Sequence, residues 1–242
     1  MIYSKTLHPM DYDYLTVEKM KLAEVGRMLG TVQHRFEHKH RAWEYGMVMS
    51  AISQVEGERI LDVGGGGSVF AVAEAGRGYN TVQVDPGDVG SWIERQSSLL
   101  TDPSTLRHIQ KDFMALNAEE LEWKPDFVTC ISVLEHVPDD TPFFLKLLDF
   151  VSDGGLLALT VDFHPSGESM VGGHIRTYNQ EALYRMYQLA KERGFEWFVT
   201  KPRHLLEDRS REKFDYAYFD THVNNYNFAS LILRRETSSE KK

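Results

Sequence analysis

Four consecutive glycines, Gly64 to Gly67, follow the apolar segment Ile60-Leu61-Asp62-Val63 and precede Ser68 and a helix-forming stretch from Val69 to Ala75. This arrangement limits the fold more than any other stretch of the chain. A buried strand that ends in glycines and turns into a helix is the opening unit of an open α/β sheet, where ligands bind beyond the carboxyl ends of the strands. Glycine there lets the backbone adopt positive φ and approach a ligand closely. The helix start adds free N–H groups and partial positive charge. Four glycines in a row cost conformational entropy that a plain turn does not require, so a ligand is expected.

After Gly57 short apolar strands alternate with helices. Strands are expected at 59–63, 81–84, 105–110, 127–132 and 156–161, and helices at 69–75, 88–94, 142–151 and 180–193. Such alternation predicts a parallel sheet covered on both faces. Two further strands, 196–201 and 227–234, have no crossover left and are expected to pair antiparallel at a sheet edge. The charged and aromatic stretch between them reads as a long loop or lid over 205–226. Before Gly57 the apolar spacing suits helices over 16–29 and 34–55. Segment 1–57 is therefore expected to form a helical cap, 58–236 the α/β domain and 237–242 a polar tail.

The loop itself narrows the ligand. A dinucleotide loop wants G-x-G-x-x-G/A, but Val69 or Phe70 stands at the third position. A phosphate-binding P-loop needs Gly-Lys-Ser/Thr, and this loop has no lysine. What remains is similar to the motif of class I S-adenosylmethionine-dependent methyltransferases, an acid followed by G-x-G-x-G. Here it runs Asp62, Gly64, Gly66, with Ser68 in place of the third glycine.

Four downstream elements carry the same resemblance. Asp85 ends the second strand, 21 residues after Gly64. A carboxylate at that tip can accept the hydroxyls of a ribose, or it can simply form an Asp-Pro turn with Pro86. Asp112 and Phe113 follow the third strand, where the family places an acid near the adenine amino group and a neighbour that can flank the ring. The segment from Asp126 to Val137 resembles the family's D-x-v-x-x-x-x-v-L-E-H-v signature. It places Ser132 beside the sulfonium and opens Glu135 and His136 toward the substrate. Finally, Gly172 to Glu181 resembles the H-x-R-x-(F/Y) element, which brings His164, His174, Arg176 and Tyr178 above the cofactor.

The resemblance covers about residues 58–200 and implies a doubly wound, mostly parallel, seven-stranded Rossmann-like sheet of the small-molecule, methyltransferase-11-like type. It implies S-adenosyl-L-methionine as cofactor, held by Asp62, Gly64, Gly65, Gly66, Asp85, Asp112, Phe113 and Ser132. Arg41, in the cap, could pair with the methionine carboxylate, and Trp43 or Tyr45 could wall the pocket. The donor carries its own activation, so the protein's part is to position reactants, exclude water and accept a proton. His136, His164 and His174 are the candidate bases, with Glu135 as a carboxylate alternative and Asp162 as an orienting group.

Composition narrows the acceptor. Net charge is −9, and segment 1–57 holds seven Lys/Arg and seven Asp/Glu, so no basic footprint for nucleic acid is present. The base-methylation signatures are also missing: Ser132-Val133-Leu134-Glu135 stands where a Pro-Pro-aromatic motif belongs, and Cys130 follows Thr129 rather than proline. A small molecule or carbohydrate, methylated on oxygen or nitrogen, is the expected acceptor. Aromatic residues of the lid could stack on it or form a homodimer contact. The lone Cys130 excludes disulfide frameworks and cysteine-rich zinc sites and fits a cytoplasmic setting. No metal set is singled out, although sites built from histidine and carboxylate stay open. No apolar run suits a membrane span. Two readings from other classes stay open: a non-catalytic Rossmann-like binding protein and a nicotinamide-dependent oxidoreductase.

Overall fold

The computed structural model describes residues 5–6, 39–164, 170–171, 175–198 and 227–237. In chain order the elements are β1 (Lys5–Thr6), α1 (Lys39–Ile52), β2 (Arg59–Val63), α2 (Phe70–Gly76), β3 (Asn80–Asp85), α3 (Gly90–Ser97), β4 (Leu106–Gln110) and β5 (Phe127–Ile131). They continue with α4 (Asp140–Phe150), β6 (Leu156–Phe163), β7 (Met170–Val171), β8 (Ile175–Arg176), α5 (Gln180–Glu192), β9 (Phe195–Trp197) and β10 (Asn227–Arg235). Strand order across the sheet is β4-β3-β2-β5-β6-β10-β1, with β9 also paired to β10. The first five strands are parallel, while β10 runs antiparallel to β6 and to β9. The expected seven strands are all present, and two-residue β1 adds an eighth on the far side of β10.

Why this order forms follows from the strands themselves. The central strands β2, β5 and β6 carry apolar residues on both faces, as strands covered by helices on both sides must. Leu61, Val63, Val82, Val84, Val128, Cys130, Leu157, Leu159 and Val161 face one layer, packed against α4 and α5. Ile60, Phe127, Ile131, Leu156 and Ala158 face the other, packed against α1 and α2. Full burial contributes about 1.5–3 kcal/mol for each large apolar side chain. Asn179 caps α5 by accepting the N–H of Ala182 at 2.8 Å, as its position before the helix predicts.

Two features of the layout matter for the site. First, α1 is a layer of the core. Tyr45, Met47, Val48, Met49, Ala51 and Ile52 are all buried, and the helix contacts β5, β6 and β10. The helix expected over 34–55 therefore lies on a sheet face. The helix expected over 16–29, the loop over 205–226 and the polar tail from 238 lie outside the described residues. Second, the chain winds from β2 outward through β3 to β4, then returns to β5 on the other side of β2. This reversal opens a crevice between the carboxyl ends of β2 and β5, the place where open α/β sheets bind ligands. No helix among the described residues is long and apolar enough to cross a membrane.

Candidate functional site

The crevice is bordered by the glycine loop on one side and the tip of β5 on the other. Gly64 (φ +73°) and Gly66 (φ +53°) adopt the left-handed conformation that side chains resist. A Cβ on Gly64 would lie 2.6 Å from the Val133 methyl carbons, so the loop and the β5 tip touch directly. At Gly65 a Cβ would fall 2.2 Å from both Asp62 Oδ2 and Gln83 Nε2. Gly64 and Gly65 require glycine because the space a side chain would take is already filled, whereas Gly66 is favoured by its backbone conformation alone.

The loop is braced from below by buried polar groups. Gln83 Nε2 donates to the Gly66 carbonyl at 2.8 Å, and Thr129 Oγ1 donates to Asp62 Oδ1 at 2.7 Å. Gln83, Asp62 and Thr129 occupy one register row, on adjacent strands β3, β2 and β5 in that order. Burial pushes the Asp62 carboxyl up to about 6, against the opposing effect of the Thr129 and Gln83 hydrogen bonds. Gln83 and Thr129 were not legible as site residues, because a polar side chain in the middle of a strand gives no periodic signal of its own.

Asp85 reaches the loop from the tip of β3. Its Oδ2 accepts the N–H of Gly66 at 2.9 Å and its Oδ1 accepts the N–H of Gly87 at 2.7 Å. The carboxylate is thus fixed in orientation, and each oxygen retains a further lone pair for a ribose hydroxyl. Helix α2 has only seven residues, so the N–H groups of the loop, rather than a long helix dipole, shape this corner.

Other expected residues are distributed differently. Asp112 Oδ1 accepts the N–H of Met114 at 2.8 Å and starts a short 3₁₀ turn. Phe113 is buried, its ring 5.0 Å from that of Phe143 and 5.4 Å from that of Phe150. The ring is therefore committed to the core and does not flank the crevice, because a large aromatic packed between two others gains more from burial than from an open cleft. Glu135 is likewise buried and does not open outward, whereas His136 beside it is exposed. Cys130 is fully buried and its thiol is pushed well up by desolvation, with Glu135 and Asp62 adding to the effect, so it acts as a small apolar side chain. Tyr45 packs against Phe70, ring centroids 5.6 Å apart. The backbone of Arg41 belongs to α1, but its side chain, that of Trp43, and the whole of His174 lie outside the described residues.

Arg176 and Tyr178 turn out to grip the loop that carries His136. The Tyr178 hydroxyl donates to Asp140 Oδ2 at 2.9 Å and lies 3.2 Å from the Leu134 carbonyl. Arg176 pairs with Asp140 at 2.7 Å and donates to the Pro138 carbonyl at 3.1 Å. His164 sits at the end of β6, its N–H donating to the Tyr178 carbonyl at 2.8 Å. The structure thus brings His136, His164, Arg176 and Tyr178 to one end of the sheet, with Tyr178 buried as a brace. A cavity of about 390 Å³ lined by Glu56, Asp126, Asp153, Phe198 and Arg234 lies at the opposite, amino end of the strands.

An open, mostly parallel sheet with a glycine loop at its switch point, and an acid from the next strand bonded into that loop, is the layout of a ligand-binding, Rossmann-like α/β domain. The chain belongs to the methyltransferase domain family, whose profile matches residues 36–231. The ubiquinone biosynthesis O-methyltransferase of Pseudomonas aeruginosa (strain UCBPP-PA14) is 33% identical over 111 residues, 45% of this chain and 47% of that protein. The chain thus spans about half the length of the curated relatives it matches. Two solved structures share the fold. The [4+2]-cyclase SpnF aligns with a TM-score of 0.59 at 14% identity, covering 93% of this chain and 97% of that one. The 1,6-didemethyltoxoflavin-N1-methyltransferase of Burkholderia thailandensis, solved with its substrate and S-adenosylhomocysteine, aligns with a TM-score of 0.59 at 13% identity, covering 95% and 91%.

Proposed function

We propose that the protein transfers the methyl group of S-adenosylmethionine to an oxygen or nitrogen of a small molecule. The observation that carries this reading is the bond between Gly66 and Asp85 at the switch point. It places a fixed carboxylate beside a loop whose glycines leave the backbone bare, as a ribose against a peptide surface requires. Membership of the family supports methyl transfer, the likeness to an O-methyltransferase supports an oxygen acceptor, and a fold neighbour holding S-adenosylhomocysteine supports the donor.

When bound, the donor supplies a sulfonium-activated methyl group. Asp85 would hold the ribose, Asp112 the adenine edge, and Gly64, Gly65 and Ser132 the methionine end. Exposed His136, in the turn that follows the tip of β5, would be the group that takes the acceptor's proton. Sugar hydroxyls and phenols fall within the same acceptor chemistry. The single cysteine and acidic composition support a cytoplasmic setting.

Two measurements test this. Calorimetry should give saturable binding of S-adenosylmethionine and S-adenosylhomocysteine and none of NAD. Purified protein with methyl-labelled donor should then label a member of a panel of phenols, amines and sugars. Binding without transfer to any extract fraction would favour a non-catalytic role, and binding of NAD alone would point to an oxidoreductase.

A further inference from the structure

From Glu44 to Ile52 helix α1 is buried nearly all round, and among these apolar side chains stands one acid, Glu44, with no solvent exposure. A carboxylate in such a place is costly unless it is hydrogen-bonded. Glu44 Oε1 accepts the hydroxyl of Thr160 at 2.6 Å and also the hydroxyl of Ser132. Thr160 Oγ1 in turn lies 3.2 Å from the N–H of Ser132, and the Thr160 carbonyl accepts that N–H at 3.0 Å. Three of these four bonds end on Ser132, the first residue beyond β5, and the fourth joins its two partners, Glu44 and Thr160, to each other.

Ser132 has φ +50°, one of two non-glycine residues in the left-handed region among the described residues. That conformation costs a residue with a Cβ about 1–2 kcal/mol. It turns the chain so that the next side chain, Val133, meets Gly64 across the crevice. The bend at Ser132 therefore sets the width of the donor crevice, and the bonds from Glu44 and Thr160 hold the bend.

We propose that Glu44 is a positioning residue of the donor site: by gripping the Ser132 hydroxyl it keeps the β5 tip in its left-handed turn. This rests on the donor reading above, and it makes α1 a working part of the crevice although the helix contacts the sheet face. Glycine adopts the same turn without strain, so a glycine at 132 should release the site from its dependence on Glu44.

The test is isothermal calorimetry with S-adenosylhomocysteine on the full chain, with unfolding measured without ligand as a control. Glu44→Ala should raise the Kd at least about tenfold, the weight of leaving buried hydrogen-bond partners without their acceptor. Glu44→Gln, which keeps an acceptor oxygen in place, should stay within about threefold of the wild type. In a Ser132→Gly background, Glu44→Ala should change the Kd less than about threefold. Should Glu44→Ala fail to fold, Ser132→Ala and Ser132→Gly decide the matter: both lose the hydroxyl and whatever it gives the donor, so the alanine, which resists the left-handed turn, should bind more weakly than the glycine. Equal loss from Glu44→Ala in both backgrounds, a folded Glu44→Ala that binds as tightly as the wild type, or equal Kd values for the two Ser132 variants overturns the proposal. A wild-type chain that binds no S-adenosylhomocysteine instead overturns the donor reading on which the proposal stands.

Discussion

The Gly66 N–H points at Asp85 Oδ2 from 2.9 Å, which ties the glycine loop after β2 to the tip of β3. Asp85 thus serves the loop and, in the proposed function, the ribose. Asp85→Asn keeps the size of the side chain but weakens its acceptors and turns one oxygen into a donor facing an N–H. The Kd for S-adenosylhomocysteine should rise about 10- to 100-fold, from about 1.5–3 kcal/mol of charged hydrogen bonding. Calorimetry checks it, and an unchanged Kd removes Asp85 from the ribose role.

Gly65→Ala should destabilise the protein even though the position is glycine-rich and near the surface. The new methyl would collide with Asp62 Oδ2 and Gln83 Nε2, both only 2.2 Å away, on side chains held by hydrogen bonds from Thr129 to Asp62 Oδ1 and from Gln83 to the Gly66 carbonyl. Overpacking of this kind costs about 1–3 kcal/mol. Urea unfolding reads the loss. A midpoint equal to that of the wild type would mean that the floor of the loop is softer than described.

Glu74 is fully buried in α2 and paired with Arg77 at 2.7 Å. Burial pushes its carboxyl up to about 7 from an ordinary 4.5, with Arg77 opposing the shift. The native state therefore binds this proton more tightly than the unfolded chain does. The penalty is absent below about 4.5, grows as pH rises, and is complete above about 7. Glu74→Gln cannot pay it, so the stability of the variant relative to the wild type should increase from pH 5 to pH 7.5, at up to about 1.4 kcal/mol per pH unit. Urea titrations across that range would show a flat difference if the group is not titrating there. Asp62 contributes in the same direction, its window running from 3.8 to about 6.

His136 is exposed and is held on both flanks, through Leu134 by Tyr178 and through Pro138 by Arg176. On the acceptor found by screening, His136→Ala should lower kcat about 100-fold or more, with donor affinity unchanged. Tyr178→Phe should lower it less and should also cost about 1–3 kcal/mol of stability, since Asp140 and the Leu134 carbonyl lose their buried partner. Full turnover in His136→Ala, His164→Ala and His174→Ala alike would show that imidazole base catalysis is not used and that positioning carries the reaction.

Much of this architecture is written locally. The alternation of short apolar strands with helices gives the parallel sheet, and the boundaries of β2, β5 and β6 are marked by turn residues on either side. The glycine loop and Asp85 were legible because their chemistry depends on residue type at a fixed spacing. Phe113 misled because nothing in a short strand-end sequence separates a ring that lines a cleft from one that fills a core; only its distances to Phe143 and Phe150 do. Arg176 and Tyr178 look like cleft residues in sequence, and their bonds to Asp140 depend on a contact between segments 36 residues or more apart. Glu44 did carry a signal, a lone acid in Ala-Trp-Glu-Tyr-Gly-Met-Val-Met, but its partners lie 88 and 116 residues away.

Because α1 supplies one wall of the hydrophobic interior, the parallel sheet has no natural start at residue 58. A truncated chain beginning there would bare Phe127, Ile131, Ala158 and Ile232, which α1 now helps to cover. Such a surface invites self-association, and the shortened polypeptide should be recovered in aggregates even with every glycine of the loop intact.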